Sequence, residues 1–213
     1  MASNKAKMLA FDIETMGFLN TKPLPPITCV CLYAPGIEHK LRFFKVSDEE
    51  FASNKKKLFE LLDAAPCLAG FNAVYFDLEY IRVFFDVDVS AWVLKCIDPF
   101  MVAKHILKST CGLNFLLELN GLGAKTGSGG DAVALAEEER WPELLDYCLM
   151  DARLTYDLCA LPTIAFSTHL RASTDASLLW RFAISASSFS GAAAPWKEIV
   201  PTVIYRLCET VGE

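Results

Sequence analysis

The sequence predicts an α/β protein built on a mixed sheet. Three observations predict it. Short apolar runs, such as ITCVCLY (27–33) and CLAGFN (67–72), have strand length and turn residues at their ends. Segments of helical periodicity separate the later runs. The order is a strand, a hairpin, a helix, a strand, a helix, a short strand and then helices, which is the order of an α/β sheet with mixed strand directions.

Each element has its own reason. Residues 7–15 read as a first strand, apolar and then acidic. Pro23, Pro25 and Pro26 mark a loop. ITCVCLY pairs with LRFFKV (41–46) across a Pro35-Gly36 turn, giving a hairpin over 27–46. Ser47 with Glu50 three residues on is a capping box. The helix it opens runs through FASNKKKLFELLDA, with Phe51, Leu58, Phe59, Leu61 and Leu62 on its apolar face, and Pro66 ends it. A helix is expected over 76–85, an edge strand over 94–98, and helices over MVAKHIL and GLNFLLEL. Trp141-Pro142 opens a long helix, with Pro in the first turn where it costs no hydrogen bond, and Pro162 stops it. Residues 163–194 are rich in Ala, Ser and Thr; a strand over 179–187 and a helix or strand over 198–211 are expected beyond.

Bulk composition narrows the function. The chain has 213 residues, of which 53% are hydrophobic, enough for one sizeable core. Fifteen Phe and four Trp argue against disorder. No apolar run is long enough to span a membrane. The start MASNKAKMLAFD reaches an acid before an apolar signal region forms, so an intracellular location is expected. The net charge of −6 argues against tight nonspecific binding of duplexes. Lys5, Lys7, Lys55, Lys56, Lys57, Lys104, Lys108 and Lys125 remain as local guides for a strand. The eight cysteines form no CxxC pair and lie mostly in apolar segments; they read as reduced core residues rather than a zinc site. GLGAKTGSGG (121–130) reads as a mobile loop; the phosphate-loop signature fails at Ala124.

The acids carry the chemistry. In FDIET, Asp12 and Glu14 sit two apart at a strand end, so both point to one face. In GFNAVYFD, Asn72 ends a strand and Asp77 begins a helix. In YCLMD, Tyr147 and Asp151 are four apart on a helix, about 40° around the axis and about 6 Å along it. Taken singly, each has an ordinary reading: a surface pair, a helix N-terminal acid, an ion-pair partner. Gathered, Asp12, Glu14, Asp77 and Asp151 would repel, and hard divalent cations, Mg²⁺ or Mn²⁺, would relieve that. Two such ions about 4 Å apart can flank an in-line phosphoryl displacement.

The set FDIET, GFNAVYFD and YCLMD resembles the three exonuclease motifs of the DEDD superfamily of 3′–5′ exonucleases. The tyrosine four residues before the last Asp is similar to the DEDDy subclass, which includes proofreading domains of family B DNA polymerases and stand-alone relatives. The histidine subclass would carry His where Asp146 stands. The stretch CIDPFMVAK to GLNFLLELNGLGAKTG also resembles the family between its second and third motifs. The resemblance covers residues 7–161. It implies a ribonuclease H-like fold with a central five-stranded mixed sheet flanked by helices. It implies an exonuclease domain over 1–161, with 162–213 as an extension packed on it. It implies two divalent cations, held directly by Asp12, Glu14 and Asp151 and through water by Asp77. Tyr147 would orient the attacking water. Thr15, Asn72 and Phe76 would touch the terminal nucleotides, and Met16 and Phe18 are candidate wedges under a base. The expected partner is the 3′ end of single-stranded DNA or RNA. Two other readings stay open: a catalytically quiet nuclease-like domain used as a binding module, and a small-molecule phosphodiesterase. The presence of all four acids and the tyrosine favours the enzyme.

Overall fold

A computed structural model describes residues 8–107, 111–123, 129–166 and 171–173. Five strands form the main sheet: β1 (Met8–Thr15), β2 (Ile27–Ala34), β3 (Ile37–Arg42), β4 (Cys67–Ala69) and β5 (Cys96–Ile97). Their spatial order is β3-β2-β1-β4-β5. β1 runs antiparallel to β2 and parallel to β4, and β5 continues the parallel half as an edge strand. The sheet is therefore mixed, and its central strand is the one that ends in FDIET. The first half of β1 is buried on both faces, as its unbroken MLAF run requires.

β3 differs from expectation. It occupies Ile37–Arg42 rather than 41–46. Gly36 adopts a φ of 81°, so the chain reverses at once and Ala34 pairs directly with Ile37. At the far end the N–H groups of Phe43 and Phe44 both donate to the Thr28 carbonyl, at 2.9 and 3.3 Å. The ladder stops there, and Phe43 turns into a ring cluster with Phe51 and Phe85.

Helix α1 (Asp48–Ala64) starts as read: the Ser47 Oγ accepts from the Glu50 N–H at 3.2 Å. It buries Leu58 and Leu62, each contributing roughly 1.5–3 kcal/mol. After β4 the backbone passes Gly70, where an added Cβ would meet the Ala73 Cβ at 2.2 Å. Only glycine fits this close approach. The chain then enters α2 (Asp77–Phe85). A short helix not anticipated from sequence, α3 (Ser90–Val93), follows; the Ser90 N–H donates to Asp88 Oδ1 at 2.9 Å, and Trp92 is buried. α4 (Pro99–Leu107) begins two residues before the MVAKHIL segment expected to be helical. α5 (Leu113–Leu119) matches its prediction.

The glycine-rich 121–130 segment gives way at its end to α6 (Gly129–Glu137), which sequence reading missed; residues 124–128 lie outside the described residues. Next comes α7 (Trp141–Cys159), the long helix with Pro142 in its first turn. Past Pro162, β6 (Thr163–Ala165) and β7 (Arg171–Ser173) form a separate two-stranded sheet, also unanticipated. Ile164 and Phe166 join a core patch with Leu113, Leu116, Leu117 and Leu158. The elements expected over 179–187 and 198–211 lie outside the described residues. Among the described residues, no helix is long and apolar enough to cross a membrane.

Candidate active site

The pleat of β1 divides its C-terminal half between two environments. Phe11, Ile13 and Thr15 are buried, while Asp12 and Glu14, alternating with them, are half-buried. Helix α7 packs across β1 and β2. On it Leu144, Cys148, Ala152 and Thr155 are buried, and so is Asp151. The acid thus sits on the packed stripe of the helix. As a result, one carboxylate oxygen from each of Asp12, Glu14 and Asp151 lies within 4.8 Å of the others. Tyr147, one turn before Asp151, is half-buried beside the same helix–sheet junction.

Asp77 reaches the site differently. The pairing of β1 with β4 ends at Ala10 and Ala69, so the Ile13 N–H has no strand partner on that side. It donates to Asp77 Oδ1 at 3.1 Å instead. The carboxyl of Asp77 is buried in the first turn of α2. Burial, and then the nearby charge of Asp98, push its pKa up to about 8; the Ile13 N–H works against the shift. Asp77 stands outside the group of three whose oxygens converge.

A residue that sequence reading did not single out organises this corner. Asp98 is buried and accepts four backbone N–H groups: Asn72 at 2.9 Å, Val74 at 3.0 Å, Phe100 at 3.0 Å and Met101 at 3.3 Å. Burial raises its pKa to about 6, and these four donors oppose the rise. The signal was legible in CIDPF, since an acid directly before Pro is a helix-start pattern. Asp98 caps α4 and ties down the Asn72–Val74 loop that leads into α2.

The other expected residues spread out. Asn72 is half-buried with a φ of 61°, and its carbonyl accepts from the Phe76 N–H. Phe76 stacks at a tilt against Tyr80, with centroids 5.5 Å apart. The Thr15 Oγ1 donates to the Gly17 carbonyl at 2.7 Å, which turns the chain after β1. Met16 packs in the small core patch near Tyr147, whereas Phe18 is 75% exposed. Lys104 lies over the Tyr75 ring at 4.4 Å. Lys55, Lys56 and Lys57 are on α1, which packs on the core around Phe11 and Ile13, the residues that alternate with Asp12 and Glu14. Lys5, Lys7, Lys108 and Lys125 lie outside the described residues.

The donor set suits a hard cation. It consists of carboxylate oxygens, which match Mg²⁺ or Mn²⁺ rather than soft metals. With ligand distances of about 2.1 Å, octahedral coordination spaces oxygens about 3.0 Å apart in cis and about 4.2 Å in trans. Three oxygens already within 4.8 Å of each other need little adjustment to meet that.

The sequence matches no protein-family model and no curated protein. Solved structures do resemble it. A family B DNA polymerase from the hyperthermophilic archaeon Pyrobaculum calidifontis aligns with a TM-score of 0.55 and 16% identity, over 71% of this chain and 24% of the polymerase. The chain thus spans about a quarter of that protein. Trypanosoma brucei RNase D aligns with a TM-score of 0.54 and 12% identity, over 94% of this chain and 72% of RNase D. Its GMP complex gives 0.52 and 13%, over 94% and 63%. At these identities the likeness speaks for the fold. Together with the observed strand order, it establishes that this chain has a ribonuclease H-like α/β fold, a five-stranded mixed sheet flanked by helices.

Proposed function

We propose that this chain is a metal-dependent nuclease of the DEDDy type, removing nucleotides from the 3′ end of single-stranded DNA or RNA. One observation carries the reading: the carboxylates of Asp12, Glu14 and Asp151, far apart in sequence, converge on a ribonuclease H-like scaffold. The likeness to a DNA polymerase and to RNase D, a GMP complex among its structures, supports a nucleic-acid substrate.

In this reading Asp12, Glu14 and Asp151 hold two divalent cations, Mg²⁺ or Mn²⁺, with Asp77 contributing through water. Bound there, the cations supply a water-derived nucleophile and stabilise the leaving 3′ oxygen. Tyr147 donates or accepts one hydrogen bond to orient the attacking water; a neutral phenol hydroxyl positions a water better than it deprotonates one. Asn72, Thr15, Met16 and Phe76 line the approach of the terminal nucleotides. Asp98 positions Asn72 and the start of α2 without touching substrate. Residues 1–161 form the catalytic domain; of the extension assigned to 162–213, residues 167–170 and 174–213 lie outside the described residues.

Affinity on a chain of net charge −6 must come from metal–phosphate contacts and base stacking, not from a general field. Stacking needs unpaired bases. The test uses a 5′-labelled single strand, a blunt duplex and a 3′-blocked single strand, as DNA and as RNA, with Mn²⁺ or EDTA. A ladder of shortening products is expected from the open strand, a slower one from the duplex, and none from the blocked strand or in EDTA. Cutting of a circular single strand would contradict the exonuclease reading.

A further inference from the structure

The cysteines read from sequence as reduced core residues rather than a zinc site, yet three of them converge. Cys29 and Cys31 alternate on β2 and so share a face. Cys148 faces them from α7. Each of the three is fully buried, and their sulfur atoms all lie within 4.8 Å of one another. CxxC spacing could not reveal this, because a strand and a helix more than a hundred residues apart supply the set. Two alanines of α6, Ala132 and Ala136, complete the surrounding patch.

We propose that Cys29, Cys31 and Cys148 form a buried three-sulfur site for one thiophilic d¹⁰ cation of the Zn²⁺ or Cd²⁺ type, separate from the carboxylate centre. The geometry fits. A cation at about 2.3 Å from each of three sulfurs sets them about 4.0 Å apart, so the triangle need close by less than an ångström from its 4.8 Å limit. Three thiols lose three protons and the divalent ion takes their place, leaving one net negative charge. The Leu145 carbonyl, 3.4 Å from the Cys31 Sγ, is within reach as a fourth donor. The donor chemistry keeps the two centres distinct: soft sulfur here, hard oxygen there.

The two sites are also neighbours. Asp12 pairs with Cys31, and Glu14 with Cys29, across the β1–β2 ladder. Facing pairs on one sheet side are close neighbours. Cys148 donates to the Asp12 carbonyl at 3.3 Å and lies between Tyr147 and Asp151 on α7. A cation held by the sulfurs would clamp α7 to the strand pair that carries the carboxylates. Binding itself does not depend on the nuclease reading.

The test is spectroscopic. Cd²⁺ is added to the full, phosphine-reduced chain in excess Mg²⁺, both after folding and during refolding, so that slow entry does not hide binding. The expected result is an ultraviolet sulfur-to-cadmium charge-transfer band that saturates at one ion per chain. Cys67→Ser, altering a buried cysteine outside the triad, should keep it. Cys148→Ser and Cys29→Ala should lose it, and circular dichroism identifies which of them fold. No band in the wild type, or an equal band in any folded triad variant, overturns the site.

Discussion

Removing one strand carboxylate should stabilise the metal-free protein while destroying its response to metal. The oxygens of Asp12, Glu14 and Asp151 lie within 4.8 Å of one another. At that separation and an effective dielectric of about 20, two unit charges repel by about 3.5 kcal/mol. Asp12 takes part in two of the three pairs, so before screening Asp12→Ala relieves about 7 kcal/mol at that limiting distance. Asp12 and Glu14 are half-exposed, and water and salt reduce the relief to about 1–2 kcal/mol. For a chain of 213 residues, each kcal/mol moves Tm by about 2–4 °C. In EDTA the variant should therefore melt some degrees above wild type. Mn²⁺ at 100 times its Kd stabilises the wild type by about 2.7 kcal/mol, or about 5–11 °C. The variant should lack that gain, so the order of the two proteins inverts between EDTA and Mn²⁺. Differential scanning fluorimetry reads all four conditions, and cleavage should be lost in the same variant. A wild type indifferent to Mn²⁺, or an equal shift in Asp12→Ala, would refute the assignment of this cluster as the metal centre.

Three further outcomes are expected. Tyr147→Phe should keep the Mn²⁺ melting shift and slow cleavage by one to three orders of magnitude, since one positioned group typically contributes on the order of 10²-fold; single-turnover kinetics checks it, and unchanged turnover removes the phenol from the mechanism. Asp98→Ala orphans the N–H groups of Asn72, Val74, Phe100 and Met101; after the relief of a buried charge, a net loss of about 1–3 kcal/mol is expected at neutral pH, measured as a lower urea midpoint. Metal-free stability should fall as pH rises from 5 to 8. Asp77 has a folded pKa of about 8 against an ordinary 3.8, so in this window the folded chain holds a proton that the unfolded chain has released. Asp98 adds the same sign up to about pH 6. Asp77→Asn should flatten the slope, and equal slopes in the wild type and the variant would sink the argument.

Much of this architecture could be read in advance, because the local signals agreed with the tertiary outcome. FDIET announces a strand by its apolar run and a site by its two acids on one face. Ser47 with Glu50 fixed the start of α1, and Pro142 that of α7. The misses have physical causes. β3 was misplaced because FFKV looks more strand-like than IEHK, but an edge strand tolerates polar residues, and the tight turn at Gly36 sets the register. α6 hid behind its Gly129-Gly130 start and an alanine-rich face with little amphipathic contrast. α3 and β6 are three or four residues long, too short for any period to show. The convergence of Cys148 with Cys29 and Cys31 depends on how α7 crosses β2, which no spacing encodes.

Two of the three buried acids, Asp77 and Asp98, differ in a way that bears on the site. Both stand before or at a helix start, and both are nearly inaccessible to water. Asp98 accepts four backbone N–H groups, and its pKa rises only to about 6. That is a carboxylate whose burial the chain itself largely compensates, as a structural clamp requires. Asp77 is as deeply buried, yet its hydrogen bonds come from the Ile13 N–H and its own backbone N–H, and its pKa rises to about 8. The fold alone leaves its charge undercompensated. A cation beside it would supply what the backbone does not, and would lower the cost of ionising it at neutral pH. Substituting the clamp should therefore weaken the fold first, whereas substituting Asp77 should weaken the response to metal first. Burial alone separates neither; the count and origin of the hydrogen bonds do.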